Sequence, residues 1–173
     1  MTALLDKARA IRCLVCDIDG VLTDGRIYLS AQGEELRVFH AQDGLGIKML
    51  LRAGVEVGII TARHSPLAKA RFEELGITHV YHGQQNKRTA FEKIRDDLQL
   101  TDAQMAFIGD DLVDLACIRQ AGLGITVPNA VAFVQEHADW QTTRAGGTGA
   151  VREVAELILN AQDKLTRLHE HFL

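Results

Sequence analysis

Cys13-Leu14-Val15-Cys16-Asp17-Ile18-Asp19-Gly20-Val21-Leu22-Thr23 is the stretch that decides the fold. A short apolar run stops abruptly at two carboxylates one residue apart, and a glycine follows. An apolar run of that length reads as a strand buried on both faces. In open α/β sheets, ligands sit just beyond the carboxyl ends of such strands. Asp17 and Asp19 therefore place negative charge where a core strand meets a ligand crevice. Asp-Gly is also ordinary turn chemistry, so the pair alone is ambiguous and the rest of the chain decides.

Downstream, the β-rich runs Arg26-Ile27-Tyr28-Leu29 and Glu35-Leu36-Arg37-Val38-Phe39 flank the glycine-containing loop Ser30-Ala31-Gln32-Gly33-Glu34. That spacing predicts a β-hairpin over about residues 24–40, inserted directly after the aspartates. Asp43-Gly44 then opens a helix to about Arg52. Core strands are predicted at 55–60, 77–81, 105–108 and 123–127. Ser65-Pro66 starts a helix ended by Gly76, with Ser as N-cap and Pro in the first turn. Asn86 caps a helix from Lys87 to about Leu98. Helices also follow Asp111 to about Gln120, Asn129 to about His137 and Val151 to about Leu168. Strand and helix alternate five times, which calls for an α/β fold: a Rossmann-like parallel sheet of five core strands with helices on both faces. At 173 residues the whole chain, 1–173, is expected to be a single domain.

The polar residues fall at strand ends. The first strand ends at Asp17 and Asp19, the second at Thr61 with Arg63 after it, and the fourth at Asp110 and Asp111 with Asp114 one turn on. Lys87 stands in the first turn of the helix after the third strand. Parallel strands bring these ends to one edge of the sheet. Carboxylates gathered there repel one another unless a cation sits among them. Mg²⁺ prefers oxygen ligands, one or two carboxylates with waters and substrate phosphate. Asp17 and Asp110 are the expected ligands, with the backbone carbonyl of Asp19 as a third. Thr61, Arg63 and Lys87 suit an anionic substrate. The chemistry this set permits is phosphoryl transfer through an aspartyl-phosphate: Asp17 as nucleophile, and Asp19 as the acid that protonates the leaving oxygen and the base that activates water.

Bulk properties exclude other classes. A net charge of −4 with no basic cluster argues against nucleic-acid binding. No apolar run is long enough to span a bilayer. Residues 1–10 lack the apolar core of a signal peptide, so the protein is expected in the cytoplasm. Three cysteines fit a reducing compartment. Cys13 and Cys16 have redox-like spacing, but such pairs sit at helix N-termini. Within a strand they read as buried structural thiols. Trp140 reads as core packing.

The ordered set D-x-D-G-V, T, K and G-D-D-x-x-D resembles the haloacid-dehalogenase superfamily of aspartate-nucleophile phosphatases. A closer resemblance, over nearly the whole chain, is to the 3-deoxy-D-manno-octulosonate 8-phosphate phosphatase family. It is carried by Asp24-Gly25-Arg26-Ile27-Tyr28, Gly33-Glu34-Glu35, Asp43-Gly44-Leu45-Gly46-Ile47, Thr78-His79, Gly83-Gln84, Asn86-Lys87 and the tail from Ala145 to Glu153. The resemblance implies a Mg²⁺-dependent phosphatase acting on that sugar-acid phosphate in lipopolysaccharide precursor synthesis. It implies substrate contacts from Asp19, His40, Ala41, Gln42, Asp43, Gly44, Thr61, Arg63, Arg71 and Lys87. Asp111 and Asp114 would stand behind them, Asp114 orienting Lys87 or its loop. It also implies a homotetramer, with hairpins packed at its centre and glycine-rich tails reaching a neighbour's site. The exposed apolar residues Ile27, Tyr28, Leu29, Leu36, Val38 and Phe39 would be buried between subunits. Two departures stand out: Ala62 in place of a frequent glycine, and His40-Ala41-Gln42 in place of a segment that often carries Asn and a basic residue. The alternatives are a phosphatase of a nonulosonate 9-phosphate, or an inactive relative serving as an assembly module. His64, His79 and His82 fall near the edge of the expected site.

Overall fold

The computed structural model describes residues 2–29, 31, 35–170 and 173. Among these residues eight α-helices and eight strands follow in the order α1 (Thr2–Ala10), β1 (Cys13–Cys16), β2 (Tyr28–Leu29), β3 (Glu35–Leu36), α2 (Ala41–Arg52), β4 (Glu56–Ile60), α3 (Pro66–Leu75) and β5 (His79–Tyr81). Then come α4 (Lys87–Asp97), β6 (Met105–Gly109), α5 (Leu115–Gln120), β7 (Leu123–Thr126), α6 (Ala132–Gln135), β8 (Trp140–Gln141), α7 (Ala150–Ala161) and α8 (Leu165–Glu170). Six strands form one parallel sheet in the order β5-β4-β1-β6-β7-β8. β1 lies in its middle and all four of its residues are buried. Helices surround the sheet in two packed groups, α1, α2 and α3 with α7, and α4 with α5. The buried apolar side chains form one continuous cluster.

Local chemistry explains the boundaries that matter. The Ser65 side chain accepts the N–H of Ala68, Pro66 opens α3, and left-handed Gly76 closes it. The Asn86 side chain accepts the N–H of Arg88 and so starts α4 at Lys87. These ends sit where the sequence puts them.

Other elements differ. The five expected core strands are present, and β8 adds a sixth of only two residues, paired as Ile125 with Trp140 and Thr126 with Gln141. Two residues carry no periodicity, so β8 is illegible in the sequence; Trp140, on this edge strand, is partly buried and packs against the core as expected. α1 also lacks a strong apolar pattern; Ala8 is its one buried residue. The expected final helix breaks after Ala161: Asp163 takes a positive φ, and the Gln162 side chain donates to the Ile11 carbonyl. The hairpin pairs only Tyr28 with Leu36 and Leu29 with Glu35, and its connecting residues 30 and 32–34 lie outside the described residues. Cys13, Cys16 and Cys117 are free and buried, and burial pushes the Cys13 and Cys117 thiols up to about 12.

Candidate active site

The sheet register assembles the site. Cys16 pairs with Ile59 of β4 on one side and Ile108 of β6 on the other. The residues that continue these three strands, Asp17, Thr61 and Asp110, therefore leave the sheet along the same edge. Asp17 is buried, and its N–H donates to the Ile108 carbonyl at 3.1 Å. The Thr61 hydroxyl accepts the Arg63 backbone N–H at 3.2 Å, a turn that folds the chain back over the β4 end.

Lys87 enters from the first turn of α4. Its Nζ donates to Asp17 Oδ1 at 2.5 Å and to Asp114 Oδ1 at 2.7 Å, with all three side chains almost fully buried. The other oxygen of Asp114 accepts the N–H groups of Asp110 at 3.0 Å and Asp111 at 3.2 Å. Asp114 thus fixes both Lys87 and the loop that carries Asp110. Gly20, at φ +94°, lies directly against the Asp110 carboxylate, and a Cβ there would collide with it. This is the physical reason for glycine after Asp19. Asp111 is exposed and caps the following turn through the N–H of Leu112.

Charge is out of balance at this edge. Burial, then the charge of Asp114, push Asp17 up to about 8 against the opposing pull of Lys87. Burial, Asp114 and Asp111 push Asp110 up to about 7. Burial alone would lower Lys87, but the charges of Asp17 and Asp114 outweigh it and hold the ammonium above its usual range. One ammonium faces three carboxylates, so the set is short of positive charge.

A metal fits that deficit. Asp17, Asp110 and Asp114 each offer an oxygen, all within 4.8 Å of one another. Both oxygens of Asp114 are already engaged by Lys87 and two backbone amides. Asp17 and Asp110 are therefore the carboxylates with ligand capacity, and an all-oxygen set suits a hard dication such as Mg²⁺.

Asp19 lies beside this group and is partly exposed. Arg37, arriving from the hairpin, pairs with it at 3.2 Å between Nη1 and Oδ1. Asn129 braces the catalytic turn from behind: its amide donates to the Gly20 carbonyl at 2.8 Å and accepts the Gly146 N–H at 2.7 Å. The Gly147 N–H donates to the Val21 carbonyl. The glycine-rich loop is thus seated on its own chain's catalytic turn. Its glycines allow backbone to lie directly on backbone.

The segment His40–Gly44 forms a second group with Arg71. His40 is the N-cap residue of α2 and makes no side-chain cap bond; Ala41 is exposed. Gln42 accepts from Arg144 Nη1 at 2.9 Å. Arg71 lies over Gly44 and pairs with Glu74 at 2.7 Å. Asp43 is 1 % exposed, and its carboxylate accepts the Arg152 N–H at 2.7 Å at the start of α7. Among the described residues, the contacts of this group run to α3, α7 and the glycine-rich loop rather than to the carboxylate edge. The Asp43 carboxylate, expected to contact substrate, reaches the start of α7 through one of its oxygens. Phe39 packs edge-on against Phe72 of its own core, with ring centroids 5.8 Å apart.

Arg37, Asn129 and the α7-capping role of Asp43 escaped the sequence reading. Asn129 was legible only as a helix start, and its two partners are 109 and 17 residues away.

A parallel sheet whose central strand ends in D-x-D-G, with a hydroxyl, a lysine and a second acidic loop on the same edge, defines a hydrolase of the haloacid-dehalogenase class. Residues 75–154 match the family described as haloacid dehalogenase-like hydrolase. A curated 3-deoxy-D-manno-octulosonate 8-phosphate phosphatase from Yersinia pestis is 46% identical over 94% of this chain and 87% of its own length. With relatives that similar over almost its full length, the chain belongs to the 3-deoxy-D-manno-octulosonate 8-phosphate phosphatase family. The crystal structure of such a phosphatase from Moraxella catarrhalis, in complex with magnesium ion, phosphate ion and KDO molecule, is 42% identical, with a TM-score of 0.98 over 100% of this chain and 99% of that one. The cobalt-bound form of the Haemophilus influenzae phosphatase is 39% identical, with a TM-score of 0.90 over 92% of this chain and 94% of that one.

Proposed function

We propose that this chain is a Mg²⁺-dependent phosphatase that hydrolyses 3-deoxy-D-manno-octulosonate 8-phosphate to the free sugar acid and phosphate, in lipopolysaccharide precursor synthesis. The observation that carries the reading is the Asp17 carboxylate: buried at the end of β1, held by Lys87 and close enough to Asp110 to share one ion. Relatives of that activity at 45–46% identity agree with it.

Asp17 Oδ attacks phosphorus as the bond to the sugar O8 breaks. Asp19 gives its proton to that oxygen and releases the alcohol. Water then attacks the aspartyl-phosphate, Asp19 takes the water's proton, and inorganic phosphate leaves with Asp17 restored. Bound Mg²⁺, held by Asp17, Asp110 and the Asp19 carbonyl, neutralises charge on the phosphoryl group. Lys87 holds Asp17 in place and pairs with phosphate oxygens, and Thr61 with the amides after it receives another. Asp114 fixes Lys87 and the Asp110 loop. Arg63, Arg71 and the segment His40–Gly44 face the sugar acid, with Asp43 acting through the shape of α2 rather than by contact.

The functional unit is a homotetramer of single-domain chains in the cytoplasm. Supporting this are the exposed Ile27, Tyr28, Leu29, Leu36 and Val38 on a ribbon too short to be stable alone, and three free thiols suited to a reducing compartment. Among the described residues, no helix is long and apolar enough to cross a membrane.

The test is phosphate release from 3-deoxy-D-manno-octulosonate 8-phosphate, from a nonulosonate 9-phosphate and from hexose phosphates. The eight-carbon substrate should show the highest kcat/KM, chelation by EDTA should stop turnover, and added Mg²⁺ should restore it. Preference for another substrate overturns the assignment. Light scattering should read four chains; a monomer ends the hairpin argument.

A further inference from the structure

The hairpin carries its charge on the wrong face for an ordinary surface ribbon. Leu36 and Val38 are 64 % and 65 % exposed, whereas the side chain of Arg37 between them is 3 % exposed. Alternation along an extended run should send the cation outward and the apolar pair inward. Turning a guanidinium inward is costly in solvation unless it meets an opposite charge. Asp19 is such a charge, at 3.2 Å. The field of Arg37 also reaches the partly buried ring of His82, which burial, then the neighbouring His64 charge, hold below the ordinary imidazole range.

We propose that Arg37 is a positioning residue for Asp19: the inserted hairpin exists in part to fix the orientation of the acid/base carboxylate that β1 alone leaves on a glycine-flanked turn. Asp19 has no helix or strand to hold it; the turn from Ile18 to Thr23 ends its rigid support. Gly20 next to it is held through its carbonyl by Asn129, which sets the backbone but not the Asp19 side chain. Arg37 supplies the missing constraint from a different segment, as Asp114 does for Lys87. The role belongs to the proton-transfer steps, so it rests on the phosphatase reading above.

The test compares two leaving groups. A sugar alkoxide needs a proton as it departs, and nitrophenolate does not. In the Mg²⁺-loaded enzyme, Arg37→Met should lower kcat on the sugar phosphate about 10- to 100-fold, within the range that general acid–base catalysis contributes. KM should stay within about threefold, because an interaction made only in the transition state affects kcat and kcat/KM together. The first-turnover release of nitrophenolate from p-nitrophenyl phosphate should be almost unchanged. Arg37→Lys should recover most of the loss. In an Asp19→Asn background, Arg37→Met should cost little more, since both act on one step. A raised KM with kcat intact would make Arg37 a substrate contact, and equal loss on both substrates or full additivity with Asp19→Asn would make it scaffolding; either overturns the proposal. If Arg37→Met does not fold, Arg37→Gln against Arg37→Lys carries the same comparison. Wild-type enzyme inactive on the sugar phosphate would instead overturn the substrate assignment, a result distinct from any difference among the Arg37 variants.

Discussion

Asp17 and Asp43 are both buried aspartates at the mouth of this fold, and they do opposite things. Burial is the largest influence raising both carboxyls above the usual carboxylate range. At Asp17 the opposition comes from the Lys87 ammonium, a side-chain partner that a metal and a phosphoryl group can share. At Asp43 it comes first from the backbone N–H of Arg152, then from the charge of His40, and further from the amides of Gly149 and Val151, so that three of its four opposing influences are backbone amides. α7 begins at left-handed Gly149 with no side-chain cap of its own, so a carboxylate from α2 satisfies amides the helix would otherwise leave orphaned. A buried carboxylate matched by ionic side chains is poised for chemistry; one matched by fixed backbone dipoles is architecture.

The hardest way to break this comparison is to remove the charge at each site. Asp17→Asn keeps the shape and the Lys87 contact but removes the nucleophile. Turnover should fall by more than about 10⁴-fold, the scale seen when an enzyme loses its nucleophile, while circular dichroism and the melting temperature show an intact fold. Retained turnover would sink the assigned nucleophile and the first half of the comparison.

Proton linkage sharpens it next. Asp17 and Asp110 are raised to about 8 and about 7 in the metal-free fold. A carboxylate whose folded value is raised favours folding while it is protonated; that contribution is fully present below the unfolded value and lost as pH rises through the folded one. The metal-free protein should therefore lose stability between about pH 4 and 8 from these groups. Mg²⁺ must displace the same protons, so its affinity should rise through pH 6 to 8, by up to roughly tenfold per pH unit for each proton released. Thermal melts with and without Mg²⁺ should show a small gain at pH 6 and a large one at pH 8.5. A pH-independent gain would place the ion elsewhere.

The two aspartates also differ in how far they could be read in advance. Asp17 is legible because β1 is an uninterrupted apolar run, and the place where it turns polar is visible in four letters. The parallel register then carries Thr61 and Asp110 to it without further information. Lys87 follows from the Asn86 cap. Asp43 sits in an equally suggestive Asp-Gly, but its partner lies 109 residues on, at a helix start whose missing cap no local pattern reveals. Arg37 escapes a local reading for a related reason. A charge between two apolar residues on a ribbon is taken to face water, and only the position of Asp19 reverses it.

The smallest expected effect is the most discriminating, because it asks whether Asp43 touches substrate at all. Asp43→Ala removes the acceptor of the Arg152 N–H and leaves buried amides facing a cavity. The loss should be about 1–2 kcal/mol, as for other lost helix caps. It should appear as a lower melting temperature and as faster hydrogen exchange of the first-turn amides of α7. Because α7 continues from the glycine-rich loop braced by Asn129, a modest fall in kcat of about threefold or less should accompany it, with KM almost unchanged. Asp43→Asn, which keeps one acceptor oxygen, should fall between wild type and alanine in stability. The opposite pattern, an unchanged melting temperature with KM raised tenfold, would mean that the carboxylate swings from α7 to the sugar acid. Asp43 would then join Asp17 as a reactive-site group, and backbone dipoles would no longer mark the architectural member of the pair.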